Sequence, residues 1–335
     1  MAKNNNNYQE KWNEILSQHV PSNLSLAKEI SELLDVSLDS AYRRLRNDTE
    51  YTLTEAAMIA NHFNLPLEAL NNELHSVVSF KTNQLNNDVE SYKHYLENML
   101  LNVKRLSQFE SSHIYFGAED IPVYYHYSQE NLMKFKITYW LKSLMMVKDF
   151  QNKNYGEIEI SEEILSLARE IFSAFSKLNS TEIWTTETAK STIKQIQFYW
   201  DAGFFNSIED ANKVADDLTS CIQHIQKQAE AAYMFSSNGT MVNAKYNLFI
   251  SDVMIGTNSI LAKTESISAS YISYSTFNFM STNNIGFNAQ NEQWMNNLMA
   301  RSTLISGVSE KQRNQFFKGV FKQINELKQY FIDNL

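Results

Sequence analysis

The sequence is poor in residues that punctuate a chain, with 8 Gly and 3 Pro in 335 residues. Sheets joined by tight turns draw on both, so this scarcity predicts a mostly helical chain. A single cysteine, Cys221, excludes an internal disulfide and suits a reducing cytoplasm. No basic neighbour or motif would activate its thiol, so it is expected to be a small buried hydrophobe on a helix. No run approaches the ~18 uncharged apolar residues that a membrane helix needs. The best stretch, 139–147, is short and contains Lys142. The polar, Asn-rich start lacks the apolar centre of a signal peptide. Positive charge is also short, with 29 Lys and Arg against 38 Asp and Glu, a formal net charge of -9. That balance excludes broad, non-specific attraction to nucleic acid or anionic membranes, so any such contact must come from a small local surface.

The motifs of chemistry are missing too. The 7 His are scattered, and none pairs at ligand spacing with carboxylates on a helix face. His113 and His126 flank a predicted hairpin and are read as structural. There is no glycine-rich phosphate loop and no nucleophile elbow. The carboxylate pairs Glu162-Glu163 and Asp216-Asp217 are expected on solvated helix faces. The sequence therefore predicts no enzyme, no catalytic residues, no metal and no cofactor.

What is present is ample apolar material: 43% hydrophobic and 13% aromatic residues, enough for packed cores in a chain of two-domain length. The texture changes near the polar run 81–88, the best linker candidate. This places a small domain at 1–79 and a larger one at 80–335. In the larger part, helices are expected over about 89–109, 131–150, 160–178, 185–200, 207–235, 291–304 and 310–332. The stretches 113–118 and 121–127 look extended, and β-branched residues over 246–274 suggest a small antiparallel sheet. Ser309 with Gln312 reads as a capping box for the last helix. Aromatic side chains concentrate at Tyr124, Tyr125, Tyr139, Trp140, Tyr199 and Trp200, where they either fill a core or line a ligand cavity. The expected fold is mainly α: an N-terminal five-helix bundle plus a larger, mostly helical α+β domain.

The informative stretch is 25–71, SLAKEISELLDVSLDSAYRRLRN followed by TLTEAAMIANHFNLPLEAL. A helix over 25–34 ends at Asp35-Val36-Ser37, where Val36 plugs between helices and Ser37 caps the next. That second helix covers about 38–47. A third, over 52–63, opens with the capping-box pattern Thr52-Leu53-Thr54-Glu55, and a fourth begins near Pro66. At about 100° per residue, Leu38, Ala41 and Leu45 are expected to face the bundle. Asp39, Ser40, Arg43 and Asn47 then face outward, with Arg44 and Arg46 flanking them.

This stretch, within residues 8–75, resembles the Cro/C1-type (lambda-repressor-like) helix-turn-helix family. The likeness lies in the Val36-Ser37 turn, the small Ala41 beneath it, Leu45 one turn on, and the tail 52–70 as a bracing helix with a short closing helix. Asp35 departs from the pattern, standing where the family often has glycine, and so must accept an unusual backbone geometry. The resemblance implies double-stranded DNA as partner, with helix 38–47 in the major groove. Arg43 is the candidate for a guanine contact, and Ser40 and Asn47 for a base edge or a phosphate. Arg44 and Arg46 suit phosphates, and Ser37 and Asp39 complete the DNA-binding set.

Residues 1–79 hold six Lys or Arg against eleven Asp or Glu, a net of -5. Half of those positive charges lie at Arg43, Arg44 and Arg46. Binding by a monomer would be weak and steeply salt-dependent, and the resemblance implies a homodimer that reads two half-sites. The expectation is thus a cytoplasmic transcription regulator that does not contact membranes. Its larger domain would dimerise or sense a small-molecule or protein effector. The alternative is a protein-interaction adaptor whose acidic helical head docks a protein partner.

Overall fold

The computed structural model describes residues 8–19, 25–63, 65, 67–70, 78–109 and 111–335. The chain divides into two compact units, Met1–Phe80 and Lys81–Leu335.

In the first unit the described residues form α1 (Tyr8–His19), α2 (Leu26–Leu34), α3 (Leu38–Leu45), α4 (Leu53–His62) and a 3-10 turn at Leu67–Leu70. The breakers read at 21–23 and at Pro66 lie outside the described residues. Each helix contributes an apolar stripe to one core: Trp12 and Leu16 from α1, Ile30 from α2, Ala41 from α3, and Ile59 and Ala60 from α4. Asp35 does take the left-handed conformation (φ 52, ψ 47), and its N–H closes α2 on the Ser31 carbonyl.

The second unit runs β1 (Lys81–Thr82), α5 (Val89–Leu106), β2 (His113–Gly117), α6 (Val123–His126), α7 (Glu130–Tyr139), α8 (Glu162–Phe175), β3 (Asn179–Trp184), α9 (Lys190–Asp201) and α10 (Ile208–Ala231). It continues through β4 (Tyr233–Phe235), β5 (Met241–Ile250), β6 (Ser259–Lys263), β7 (Ser268–Ser275), β8 (Asn278–Thr282), α11 (Ile285–Met299), β9 (Thr303–Leu304) and α12 (Glu310–Asp333). The strands form one nine-stranded sheet in the order β1-β8-β7-β6-β2-β3-β5-β4, with β9 also on β5. β2, β3 and β5 are parallel neighbours, and the other pairings are antiparallel.

This overturns the mainly-α fold with a small antiparallel sheet. The second unit is α+β around a large mixed sheet. Scarce glycine misled because parallel strands need no tight turns: their crossovers are helices, α6 to α8 between β2 and β3, and α9 and α10 between β3 and β5. Where hairpins occur, other residues bend the chain, as at Thr276 (φ 42) between β7 and β8. The polar run at 81–88 is not simply a linker, since Lys81 pairs with Ser281 and Thr82 with Met280 at the sheet edge.

Other boundaries shift for local reasons. The helix expected to reach 235 stops at left-handed Ala232, and β4 follows. Residues 123–126 are a short helix rather than extended. Ser309 does not cap α12, because its backbone is left-handed (φ 55) where an N-cap needs an extended one. Asp217 is not simply solvated: it accepts from the Asn131 and Leu132 N–H groups and so caps α7 from a distance.

Both faces of the sheet are covered, which explains why β3 is buried almost throughout. Ile183 packs with Met295 and Leu298 of α11 on one side, while Trp184 joins the large core on the other. The aromatic clusters fill that core, with Tyr125, Tyr199 and Trp184 fully buried. Cys221 is buried there as well, and burial pushes its thiol up to about 12, which makes it inert.

At the sheet centre Glu182 is 0% exposed. One carboxylate oxygen accepts from the Tyr125 hydroxyl (2.7 Å) and Ser180 Oγ (3.2 Å), the other from Trp184 Nε1 (2.9 Å) and the Tyr246 hydroxyl (3.1 Å). No cation is among these partners. Burial pushes the carboxyl up to about 7, although all four donors pull the other way. A folded-state value above the unfolded one favours folding with the proton bound. The stabilisation is therefore complete below about 4.5 and is lost as pH rises through about 7. Urea unfolding of the full chain should accordingly weaken between pH 5 and 8 by up to roughly 3 kcal/mol from this group. Glu182→Gln, whose amide oxygen can face Trp184, should remove that slope.

Candidate nucleic-acid interface

The helix-turn-helix is formed by α2, the turn 35–37 and α3. Ser37 has extended backbone, and its Oγ accepts from the Ser40 N–H at 3.2 Å, which fixes the start of α3 at Leu38. α4 begins with a complete capping box: Thr52 Oγ1 accepts from the Glu55 N–H (3.2 Å) and Glu55 Oε2 from the Thr52 N–H (2.7 Å).

The same Glu55 reaches across to α3. Its Oε1 lies 2.6 Å from Arg44 Nη2, with the two side chains only 18% and 11% exposed. Burial raises the Glu55 carboxyl, but the Thr52 and Arg44 hydrogen bonds outweigh it and hold the group below the usual carboxylate range. Arg44 Nη1 also donates to Ser40 Oγ at 2.6 Å. Arg44 is thus tied into the bundle rather than displayed for phosphate.

The C-terminal turn of α3 is also closed by α1. Gln9 Nε2 donates to the Arg44 carbonyl (3.0 Å) and the Thr49 carbonyl (2.7 Å). Asn13 Nδ2 serves the Arg44 carbonyl (3.0 Å), the Leu45 carbonyl (3.2 Å) and Asn47 Oδ1 (2.9 Å). Carbonyls that a helix end leaves without partners are met by side chains from another helix. Asn47 lies past the end of α3, in the left-handed region at φ 66. The Tyr51 hydroxyl donates to Asn13 Oδ1 at 3.3 Å, and burial, opposed by Arg44 and reinforced by Glu55, pushes that hydroxyl up to about 12.

These contacts set the rotation of α3, which differs from the expected one. Ala41 is buried and Leu45 half-buried, as the spacing predicts, but Ser40 and Arg44 are drawn inward with them. Leu38, expected in the core, is 47% exposed, and Tyr42 one turn on is 44% exposed. The outward face therefore carries Leu38, Asp39, Tyr42, Arg43 and Arg46. Among the described residues Arg43 has no ion-pair partner, whereas Arg46 meets Asp48 at 3.1 Å in an exposed pair of little strength. Of the residues read as DNA-binding, Ser37, Asp39, Arg43 and Arg46 share the exposed side, Ser40 and Arg44 are engaged internally, and Asn47 is exposed past the helix end with its Oδ1 accepting from Asn13. Gln9, Asn13 and Glu55 position α3, a role that sequence inspection missed. Only the Glu55 capping pattern was visible, because the others act across 31 to 42 residues of chain.

Residues 5–91 match the family model described as BetR domain. That match covers about a quarter of the chain and agrees with a helix-turn-helix-type domain in the first unit. Comparison with curated proteins and with solved structures gives no match. Among the described residues no helix is long and apolar enough to cross a membrane, and no group of three His, Cys, Asp or Glu could hold a metal ion.

Glu55→Ala removes a cap and leaves the Arg44 guanidinium half-buried without its carboxylate. Amide exchange of residues 38–62 in the full chain should then report a loss of about 2 kcal/mol or more. Glu55→Gln keeps the capping box and should cost less, and Arg43→Ala should stay within about 0.5 kcal/mol. Equal losses from Glu55→Ala and Arg43→Ala would contradict the positioning role.

Proposed function

We propose that this protein is a sequence-specific DNA-binding transcription regulator whose α3 enters the major groove. The observation that carries this reading is the two-sided character of α3. One side is pinned by Glu55, Gln9 and Asn13, and the other presents Arg43 and Arg46 to solvent. A rigidly held helix with an arginine fork on its outer face suits base contact, because that fork can span guanine O6 and N7. Arg46, in its weak exposed pair with Asp48, suits a phosphate. The BetR match over the same residues supports a regulator of helix-turn-helix type, and the Cro/C1 likeness is the finer form of that proposal.

The acidic head requires help to bind a polyanion, so the functional form is a homodimer reading two half-sites. The second unit is proposed to dimerise or to sense a small-molecule or protein effector, in a cytoplasmic protein that is not an enzyme. The second reading is the protein-interaction adaptor. It is favoured by the net charge of -5 over 1–79 and by the exposed Leu38 and Tyr42.

Selection from random duplexes with the full-length protein should enrich a palindromic site, and Arg43→Ala should abolish the enrichment. Arg46→Ala should weaken binding to all sequences alike and reduce the slope of log K against log salt by about 1 per contact. If wild type and Arg43→Ala hold DNA equally poorly at low salt, the adaptor reading takes its place.

A further inference from the structure

We infer that Leu38, supported by Tyr42, is a specificity-determining residue that reads the 5-methyl group of a thymine beside the base contacted by Arg43. The inference rests on the DNA-binding reading above and adds to it the chemistry of a second position in the half-site.

The carrying observation is that an apolar pair occupies the outer face of α3. Ser37 caps the helix, so Leu38 is its first residue and stands at the tip. In helix-turn-helix docking, residues at the N-terminal end of the recognition helix meet the base edges. Leu38 and Tyr42 are spaced i, i+4, so they adjoin on one helix face, and both remain nearly half exposed. Nothing in the bundle requires this arrangement, because Ala41 and Leu45 supply the buried stripe.

Leucine offers no donor or acceptor. In the major groove the feature it distinguishes is therefore the thymine methyl, which the other three bases lack. A cytosine or purine at the same position would leave the leucine against polar edge atoms and forfeit the apolar contact. Tyr42 extends the apolar strip by one turn, where its ring can shield the methyl contact from water. Arg43, further round the same exposed face, reads guanine by hydrogen bonds. The two chemistries together predict a half-site containing both a guanine and a thymine whose methyl group matters.

The test uses the full-length protein and the operator obtained by selection. Each thymine is replaced in turn by deoxyuridine, which removes the methyl and leaves the pairing edge intact, and affinity is measured by fluorescence anisotropy. One thymine per half-site should show a loss of about four-fold on replacement, the factor carried by one buried methyl. In Leu38→Ala, a surface change that leaves the core stripe untouched, thymine and deoxyuridine at that position should bind equally, while the salt slope is retained. Amide exchange over residues 38–62 checks that the variant is folded. The inference is overturned if no thymine in the operator is sensitive to methyl removal, or if the penalty persists in Leu38→Ala. An enriched operator without methyl sensitivity sinks this inference alone, whereas failure to enrich any site sinks the DNA-binding reading with it.

Discussion

The orientation of α3 depends on one carboxylate. Glu55 closes the first turn of α4 through Thr52 and simultaneously holds the Arg44 guanidinium from α3. A half-buried pair of this kind contributes modest net stability, because desolvation offsets much of the attraction. Its effect is geometric. It selects one rotation of α3 among those that would bury Ala41, and thereby decides which side chains remain outside. With Gln9 and Asn13 meeting the carbonyls of Arg44 and Leu45, the C-terminal turn of the helix is held by side chains from two other helices, while Ser37 caps its start. The outward strip of Leu38, Tyr42, Arg43 and Arg46 follows from that fastening.

The concentration of charge in the head acquires a different meaning in this geometry. Three arginines cluster in the sequence, but one of them is consumed internally, so the display surface is less basic and more apolar than the string of letters suggests. A surface that mixes arginine with leucine and tyrosine recognises less by bulk electrostatics and more by local fit. That is consistent with a head whose overall charge is negative.

The larger unit solves a different problem. Its central strands are covered on both faces, which brings a glutamate into the middle of the sheet. The residues around it supply hydrogen-bond donors to both of its oxygens, so the group is tolerated without a cation. The network joins β3, β5 and α6, and through Gln228 on the Tyr125 hydroxyl also α10. A satisfied polar cluster of this kind helps specify one register where apolar strands alone would slide.

Local patterns were legible in the sequence because they depend on residues a few positions apart. Ser37 and Thr52 as caps and Asp35 as a strained turn belong to this class. Strands β3 and β4 were not legible: Asn179–Trp184 carries a glutamate and lacks alternation because both its faces are buried, and Tyr233–Phe235 is too short to show a period. The parallel pairing of β2, β3 and β5 joins segments separated by more than 60 residues, and no local signal records it. By itself the sequence determined that a capped helix-turn-helix occupies the N-terminal part. Tertiary structure decided which way its second helix faces, since helix rotation is settled by partners such as Glu55, Gln9 and Asn13 that meet it only after the chain has folded.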